Sequence, residues 1–414
     1  MSYPERERNA IIAVSRWPGR PGLLPLFVGL ALAGAATFVS GVMGDNPLRA
    51  WQTYLINLVF WTGLAAGGVL FSAIQSITHA FWGRPLKRLA EAPGTFLLIA
   101  PLLFLVLYAG RSHIFPWINH PVAGKEGWLN APFLFLRDGF SLLLLGAAAL
   151  SLIWLSVRRE CGQAVAQLPP AADTEGREEG VVVVFAQIYA ILYALVLSLI
   201  AFDLVMSLSP RWYSTLFGAY YFIGSFYMGL AGLMLLACLA VRKEGMGRYI
   251  KALQFQNLGK LMLGFALLTG DFFFTQFLVI WYGNLPEETG FVILRSQFAP
   301  WRSLAWTVLA VCFILPFVAL LSRRNKVRPW AMFILGSVIL VGMWLEKFLL
   351  VVPSLWQGQG LPLGLSEVLI SLGFFGVMAL CITIFLGKFP LLPFADPLLR
   401  IEAEEQSTDG GLAR

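Results

Sequence analysis

The chain has 414 residues, of which 58% are hydrophobic and only 13% are charged, and its mean hydropathy is +0.74. A water-soluble domain of this size could not carry so much apolar surface without aggregating, so the composition excludes a soluble protein and makes the lipid bilayer the solvent. The formal net charge of +7 does not indicate a nucleic-acid partner, because the basic residues lie between apolar segments rather than on one face.

Ten apolar segments of membrane-spanning length follow one another along the chain. A helix that rises 1.5 Å per residue needs about 20 apolar residues to cross a hydrocarbon core of about 30 Å. The predicted spans are 23–43, 51–80, 94–112, 132–157, 181–208, 215–241, 252–282, 302–321, 329–352 and 363–387. The sequence therefore predicts an all-α integral membrane fold, with one ten-helix membrane domain at 23–387, an N-terminal segment at 1–22 and a tail at 388–414.

Basic residues mark one side of the predicted membrane domain. The termini and alternate connections hold 21 of the 30 lysines and arginines, whereas the opposite connections hold 6. Because cytoplasmic loops carry the excess of lysine and arginine, both terminal segments are predicted to be cytoplasmic. Seven tryptophans, including Trp51, Trp212 and Trp281, fall at the opposite, outer ends of the spans, where an amphipathic ring suits the interface.

Ionisable side chains inside the predicted spans are the candidates for chemistry, since each is costly to bury unless it faces a partner or a wet cavity. Asp271 lies about midway between Lys260 and Trp281, which mark the two interfaces of the seventh span. Lys260 and Asp271 share one helical face but lie about 16 Å apart along the axis, which is too far for a salt bridge. Asp271 is therefore predicted either to relay protons or to lock packing against another helix.

A second group of ionisable residues lies in the outer half of the predicted membrane domain. Its members are His113, Arg137, Asp138, Asp203, Glu346, Lys347 and Glu367. His113 and Asp138 end and begin consecutive spans, and a His–carboxylate pair can accept the two protons that a quinol loses with its electrons. The sequence thus predicts a quinol site of His113, Asp138 and Arg137. In the alternative interpretation, His113 is only interfacial and Asp138 pairs with a neighbouring arginine.

Several of the same residues form a predicted proton path. The path comprises Asp203, Asp271, Glu346, Glu367, His79 and Lys260. Glu346 and Lys347 are adjacent and point about 100° apart on a helix, which favours pairing of each with another span rather than with its neighbour. His79 lies near the cytoplasmic end of the second span, one turn after Gln75, and is placed to begin the path; an ordinary interfacial histidine is the alternative.

The sequence argues against resident cofactors. Its four cysteines, Cys161, Cys238, Cys312 and Cys381, are widely spaced, without the Cys-x-x-Cys or Cys-x-x-Cys-His patterns of iron–sulfur and covalent haem sites. No two histidines suit a bis-histidine haem, no nucleotide-binding motif is present, and no metal site is predicted. The chain alone is therefore expected to be redox-silent.

Two longer stretches carry a resemblance to a known family. The first is Asp203-Leu-Val-Met-Ser-Leu-Ser-Pro-Arg-Trp-Tyr-Ser-Thr-Leu-Phe-Gly218. The second runs from Asn257-Leu-Gly-Lys-Leu261 through to Gln276-Phe-Leu-Val-Ile-Trp-Tyr-Gly-Asn-Leu-Pro-Glu-Glu-Thr289. With Trp51 to Asn57 and the C-terminal Pro393-Phe-Ala-Asp-Pro-Leu398, they resemble the NrfD or polysulfide-reductase-type membrane subunits of alternative complex III. By length and tail, the chain is closer to the shorter such subunit, ActF, than to ActC.

The resemblance implies two four-helix bundles plus two peripheral helices in a bacterial inner membrane, with no redox cofactor of the subunit's own. It also implies a quinol:electron-acceptor oxidoreductase that contains an iron–sulfur subunit, a sister NrfD-like subunit and c-type cytochrome subunits, with a quinol such as menaquinol as substrate. In the longer sister subunit an outer-side histidine and aspartate line the quinol pocket, and His113 and Asp138 have comparable placement here. Proton conduction is the role implied for the shorter subunit. The family's aromatic stretch after Leu268 is absent, so the relay role of Asp271 rests on its depth alone.

Two other functions fit the same features. A secondary transporter would place its acidic residues at a midplane substrate site between broken helices. The quinone-reactive anchor of a polysulfide or nitrite reductase would share the fold and differ in its partners. In each case the chain contacts membrane lipid and no nucleic acid.

Overall fold

A computed structural model describes residues 22–166, 172–356, 358 and 360–392, with side chains described except for those of 159–179. In these residues ten helical segments are long and apolar enough to cross a membrane. They are α1 (Leu23–Met43), α2 (Pro47–Ile77), α3 (Arg84–Val106), α4 (Ala131–Arg158), α5 (Gly180–Leu208), α6 (Phe217–Ala240), α7 (Ala252–Gly283), α8 (Trp301–Leu321), α9 (Pro329–Ser354) and α10 (Leu365–Lys388). The ten predicted spans are confirmed in number and order. The predicted terminal segments 1–22 and 388–414 lie almost wholly outside the described residues.

The spans form two four-helix bundles and a peripheral pair. Helices α2, α3, α4 and α5 pack as the first bundle, and α6, α7, α8 and α9 pack as the second. Helix α2 is buried on nearly every side and also contacts α6 and α9, so it joins the two bundles. Helices α1 and α10 pack on each other and on α2. This is the arrangement that the resemblance implied.

Glycines set the closest approaches between spans. A Cβ added to Gly67 of α2 would lie 2.4 Å from the carbonyl oxygen of Ser225 in α6. A Cβ added to Gly34 of α1 would lie 2.4 Å from the Cα of Gly373 in α10. Membrane helices associate through such contacts because lipid removes the hydrophobic driving force and leaves close packing to hold the helices together.

Helix α3 begins earlier than predicted, because charged residues enter the bundle. The sequence placed Arg84 and Arg88 in a loop before a span at 94–112, but both side chains are buried in the structure. Arg88 Nη1 donates to Glu91 Oε2 at 2.5 Å, and Ser72 Oγ of α2 donates to Glu91 Oε1 at 2.7 Å. A hydropathy window counts Arg88 and Glu91 as two exposed charges, whereas the fold buries them as a hydrogen-bonded pair.

Two spans contain a π-helical turn. The turn Ala201–Val205 lies in α5 and contains Asp203, and the turn Ala310–Ile314 lies in α8 and contains Cys312. Such turns are rare in helices and frequently occur at functional sites. Both turns lie beside buried ionisable side chains, Asp203 in α5 and Glu346 in α9.

Candidate functional site

The first buried cluster joins the beginning of α4 to the end of α5. Arg137 donates hydrogen bonds from Nε and Nη2 to Asp203 Oδ2 at 2.9 and 2.5 Å. Trp128 Nε1 donates to Asp203 Oδ1 at 2.8 Å, and its ring centre lies 3.9 Å from the guanidinium carbon of Arg137. The π-helical turn of α5 thus presents Asp203 to three donors, which fix its orientation.

Asp138 adds a second carboxyl to this cluster. Its side chain is fully buried beside Asp203, and its Oδ1 lies 3.9 Å from Arg137 Nε. Neither Asp138 oxygen accepts a hydrogen bond from a donor in the described part of the chain. Two carboxyls therefore share one guanidinium, and the cluster holds one more acid than base. An excess acid beside a second carboxyl is suited to take up and release a proton.

His113 does not join Asp138. Its imidazole is exposed on the short helix Arg111–Ile114, outside the spans, whereas the Asp138 carboxyl lies inside the first bundle. Within the described ranges no hydrogen bond or ion pair links the two side chains. The structure therefore has the alternative geometry, in which Asp138 lies beside the neighbouring Arg137.

The second buried cluster lies between α6 and α9. Lys347 Nζ lies 2.8 Å from Glu346 Oε2, and the Tyr220 hydroxyl donates to Glu346 Oε1 at 2.6 Å. Lys347 Nζ also lies 4.4 Å from the centre of the Tyr221 ring. The prediction that Glu346 and Lys347 avoid each other is wrong, because the flexible lysine stem reaches back across the angle between the two side chains.

A cavity of about 170 Å³ opens beside Glu346 in the second bundle. Its polar groups include Glu346, Tyr220 and Gln276, and the rest of the lining is mostly apolar. Besides Tyr220, the aromatic side chains of the lining are Trp212, Phe217, Phe273, Phe277, Phe291 and Phe313. Since an engineered apolar cavity of about 150 Å³ binds benzene, this one has room for a single six-membered ring.

Arg295 lines the cavity near the carbonyl end of α9. It extends from the helix Pro286–Ser296 and donates to the carbonyls of Leu349 and Leu350 at 2.9 and 2.8 Å and to Ser354 Oγ at 2.6 Å. These bonds hold the short helix on the carbonyl end of α9. Burial lowers the pKa of Arg295 to about 9, so the guanidinium stays charged at neutral pH. The sequence placed this arginine in an outer connection and gave it no role.

The hydrogen bonds of Glu367 hold two helices together. Its two carboxylate oxygens accept hydrogen bonds from Arg49 Nε and Nη2, each at 3.0 Å. One of them also accepts the Gly364 N–H at the start of α10, at 2.7 Å. The side chain thus ties α10 to the beginning of α2. It does not contact either buried cluster.

The other predicted residues of the proton path are exposed. His79 lies two residues after the end of α2 in the left-handed conformation, with a φ of 50°. Lys260 and Asp271 lie on an exposed face of α7. None of the three contacts a buried cluster among the residues that the structure describes. Their part in proton transfer stays a prediction.

Sequence reasoning missed several partners that complete the clusters. Trp128 and Tyr220 bind the two carboxylates, yet an isolated aromatic residue in an apolar sequence carries no signal of such a bond. Arg88 and Glu91 are three residues apart, and this helical spacing was the one available signal of a pair. In the described chain no three histidine, cysteine or acidic side chains come together as a metal site.

The family model described as "Polysulphide reductase, NrfD" matches residues 41–357, well over half of the chain. The match includes both buried clusters and the cavity, whereas Glu367 and α10 lie beyond it. No curated protein matches the chain.

Proposed function

The chain belongs to the polysulphide reductase NrfD family, and on this basis we propose that it is a membrane subunit of a respiratory quinol:electron-acceptor oxidoreductase of the alternative complex III type. Within that complex it takes the place of the shorter NrfD-like subunit, ActF. It lies in a bacterial inner membrane with both termini in the cytoplasm. Its partners are an iron–sulfur subunit, a sister NrfD-like subunit and c-type cytochrome subunits.

The observation that carries the proposal is the position of buried carboxyls near the outer ends of both bundles. Asp138 and Asp203 share Arg137 in the first bundle, and Glu346 lines the cavity in the second. Oxidation of a quinol releases two electrons and two protons. The electrons pass to redox groups of the partner subunits, so this chain needs only to bind the ring and to accept protons.

The cavity supports the second bundle as the place where the quinol ring binds. Its aromatic lining suits a flat ring, and Glu346 offers a carboxylate to a ring hydroxyl. Tyr220 holds one oxygen of that carboxylate and Lys347 lies beside the other. A proton taken by Glu346 would neutralise the carboxylate and weaken its ion pair with Lys347. The charge of Lys347 then favours release of that proton from Glu346. This proposal replaces His113 as the proton acceptor.

The test is quinol turnover by the intact complex, purified through a tag on this chain. Glu346→Gln and Asp138→Asn are expected to lower turnover about tenfold or more, since each removes a proton acceptor. Asp45→Asn, which neutralises an exposed acid before α2, is the matched control and is expected to retain turnover. Full turnover in both test variants, with all subunits present, would refute a proton-handling role.

Two measurements separate this proposal from its alternatives. Loss of quinol oxidation on deletion of the chain supports the complex, whereas uptake of a substrate by liposomes that contain only this chain supports a transporter. The subunits that copurify in mild detergent distinguish alternative complex III from a polysulfide or nitrite reductase. Haem or flavin absorbance from the purified chain would contradict the expectation that it is redox-silent.

A further inference from the structure

Helix α7 exposes an acidic side chain about midway between its two predicted membrane interfaces. Asp271 lies roughly 15 Å along the axis from both Lys260 and Trp281, the residues that mark the interfaces. Its side chain is exposed, and no hydrogen bond or ion pair reaches it from the described part of the chain. Bilayer hydrocarbon offers no water or counter-ion to such a group, so a carboxyl in this position requires a partner.

The two sides of α7 differ in what they contact. Ala266, Gly270 and Phe273 line the cavity of the second bundle. The opposite side, which we call the Asp271 face, consists of Gly264, Leu267, Leu268, Asp271, Phe274 and Leu278, all exposed. A Cβ added to Gly264 would meet nothing within 4 Å. The backbone of α7 is therefore open there to close approach by another helix.

We propose that the Asp271 face binds a membrane-spanning helix of another subunit, and that this helix places a lysine or arginine at the depth of Asp271. A basic side chain completes the charge of the carboxylate, whereas an apolar helix or a lipid chain would leave it unpaired. A second copy of this chain is a poorer occupant. Two identical faces that meet across a two-fold axis would bring two Asp271 carboxylates together. Asp271 needs such a partner in any assembly that contains this chain, so this inference does not depend on the proposed function.

Spin labels test whether the face is covered in the assembled complex. The spin label is attached at Leu267→Cys or Phe274→Cys on the Asp271 face, and at Leu195→Cys on a lipid-exposed site of α5 as the control. In all three variants the four native cysteines are replaced. Collisions with oxygen, which dissolves in lipid, are expected to fall severalfold at both test sites when the purified chain is compared with the complex. Unchanged collision rates at 267 and 274 would overturn the proposal, whatever the α5 site shows.

Cross-linking from Leu267→Cys identifies the occupant, and the charge test follows. Asp271→Leu is expected to lower retention of the cross-linked subunit in detergent about tenfold, whereas Asp271→Glu retains it. Replacing the partner's basic residue with leucine is expected to restore retention in the Asp271→Leu background. A cross-linked span with no basic residue at this depth, a product that contains only this chain, or equal retention for Asp271→Leu and the native chain would each refute the proposal. Leucine favours membrane insertion, so Asp271→Leu is expected to insert and fold, and a fall in retention then reports the loss of the carboxylate.

Discussion

Arg137 binds Asp203 through two nitrogens and at the same time lies 3.9 Å from Asp138, so that one guanidinium serves carboxyls from two adjacent spans. Either carboxyl can therefore act as a counter-ion if the other is removed. Because of this redundancy, removal of one carboxyl is expected to affect proton transfer more than the free energy of unfolding.

The cluster predicts a non-additive effect on stability. Asp203→Asn and Asp138→Asn each leave Arg137 with one carboxylate and are expected to cost about 1 kcal/mol in the free energy of unfolding. The double variant leaves a largely buried arginine without a carboxylate and is expected to cost about 3 kcal/mol. Unfolding in mixed detergent and SDS measures all three values, with Asp45→Asn as the control for loss of an acid. Simple additivity would show that Asp138 does not replace Asp203.

A second prediction concerns Glu346 and Lys347. Glu346→Gln leaves the buried Lys347 ammonium without its carboxylate and is expected to cost about 3 kcal/mol or more of unfolding free energy. Adding Lys347→Met removes the stranded charge and is expected to restore most of that stability. Quinol turnover should stay low in the double variant, because the carboxylate is still missing. Recovery of turnover with stability would show that Glu346 acts only through folding.

The contact between α2 and α6 predicts a large effect from one methyl group. Gly67→Ala places a Cβ against the Ser225 carbonyl oxygen and is expected to cost about 1–3 kcal/mol through overpacking. Gly29→Ala on α1 is the matched control, because nothing lies within 4 Å of its Cβ. That control is expected to be neutral or slightly stabilising, since alanine is the better helix former. Equal unfolding midpoints for the two variants would contradict the close approach.

Loss of the Arg295 side chain is expected to release the short helix Pro286–Ser296 from the end of α9. Arg295→Met removes the side-chain donors to the carbonyls of Leu349 and Leu350 and is expected to cost about 2–3 kcal/mol. Trp212 stacks on Phe291 of that helix with ring centroids 3.7 Å apart, so its fluorescence should report the release.

The matched control for this experiment is Arg302→Met, which removes an exposed arginine at the start of α8. A difference spectrum against a Trp212→Phe background isolates the Trp212 signal. An unaltered Trp212 signal in Arg295→Met, together with native unfolding behaviour, would show that Phe291 and its helix are held by other contacts.

The third span shows where sequence reasoning on the fold reached its limit. Nine spans matched the apolar pattern closely, but α3 begins at Arg84 because Arg88 and Glu91 are buried together with Ser72. Pairing cancels a cost that a hydropathy sum assigns to each charge separately. The i,i+3 spacing of Arg88 and Glu91 was a signal of the pair, but the sequence could not show that Ser72 completes it, because Ser72 lies on a different helix.

The candidate site shows the same limit. Sequence depth identified Asp138, Asp203 and Glu346 as intramembrane acids, and the structure buries all three. Depth could not reveal that His113 is exposed. It also could not show whether Asp271 faces the bundle or the outside, because the depth of a residue along a helix does not tell which side of that helix packs on its neighbours.

The sequence by itself determined the all-helical membrane fold, the number and order of the ten spans, and the presence of Asp138, Asp203 and Glu346 within them. These follow from the transfer of each segment from water to lipid, which depends on that segment alone. Only the tertiary structure decided that Asp203 binds Arg137, that Glu346 lines a ring-sized cavity and that Asp271 faces outward. Those outcomes depend on which side chains of other spans occupy the same depth and direction, and the apolar pattern of one helix does not contain that information.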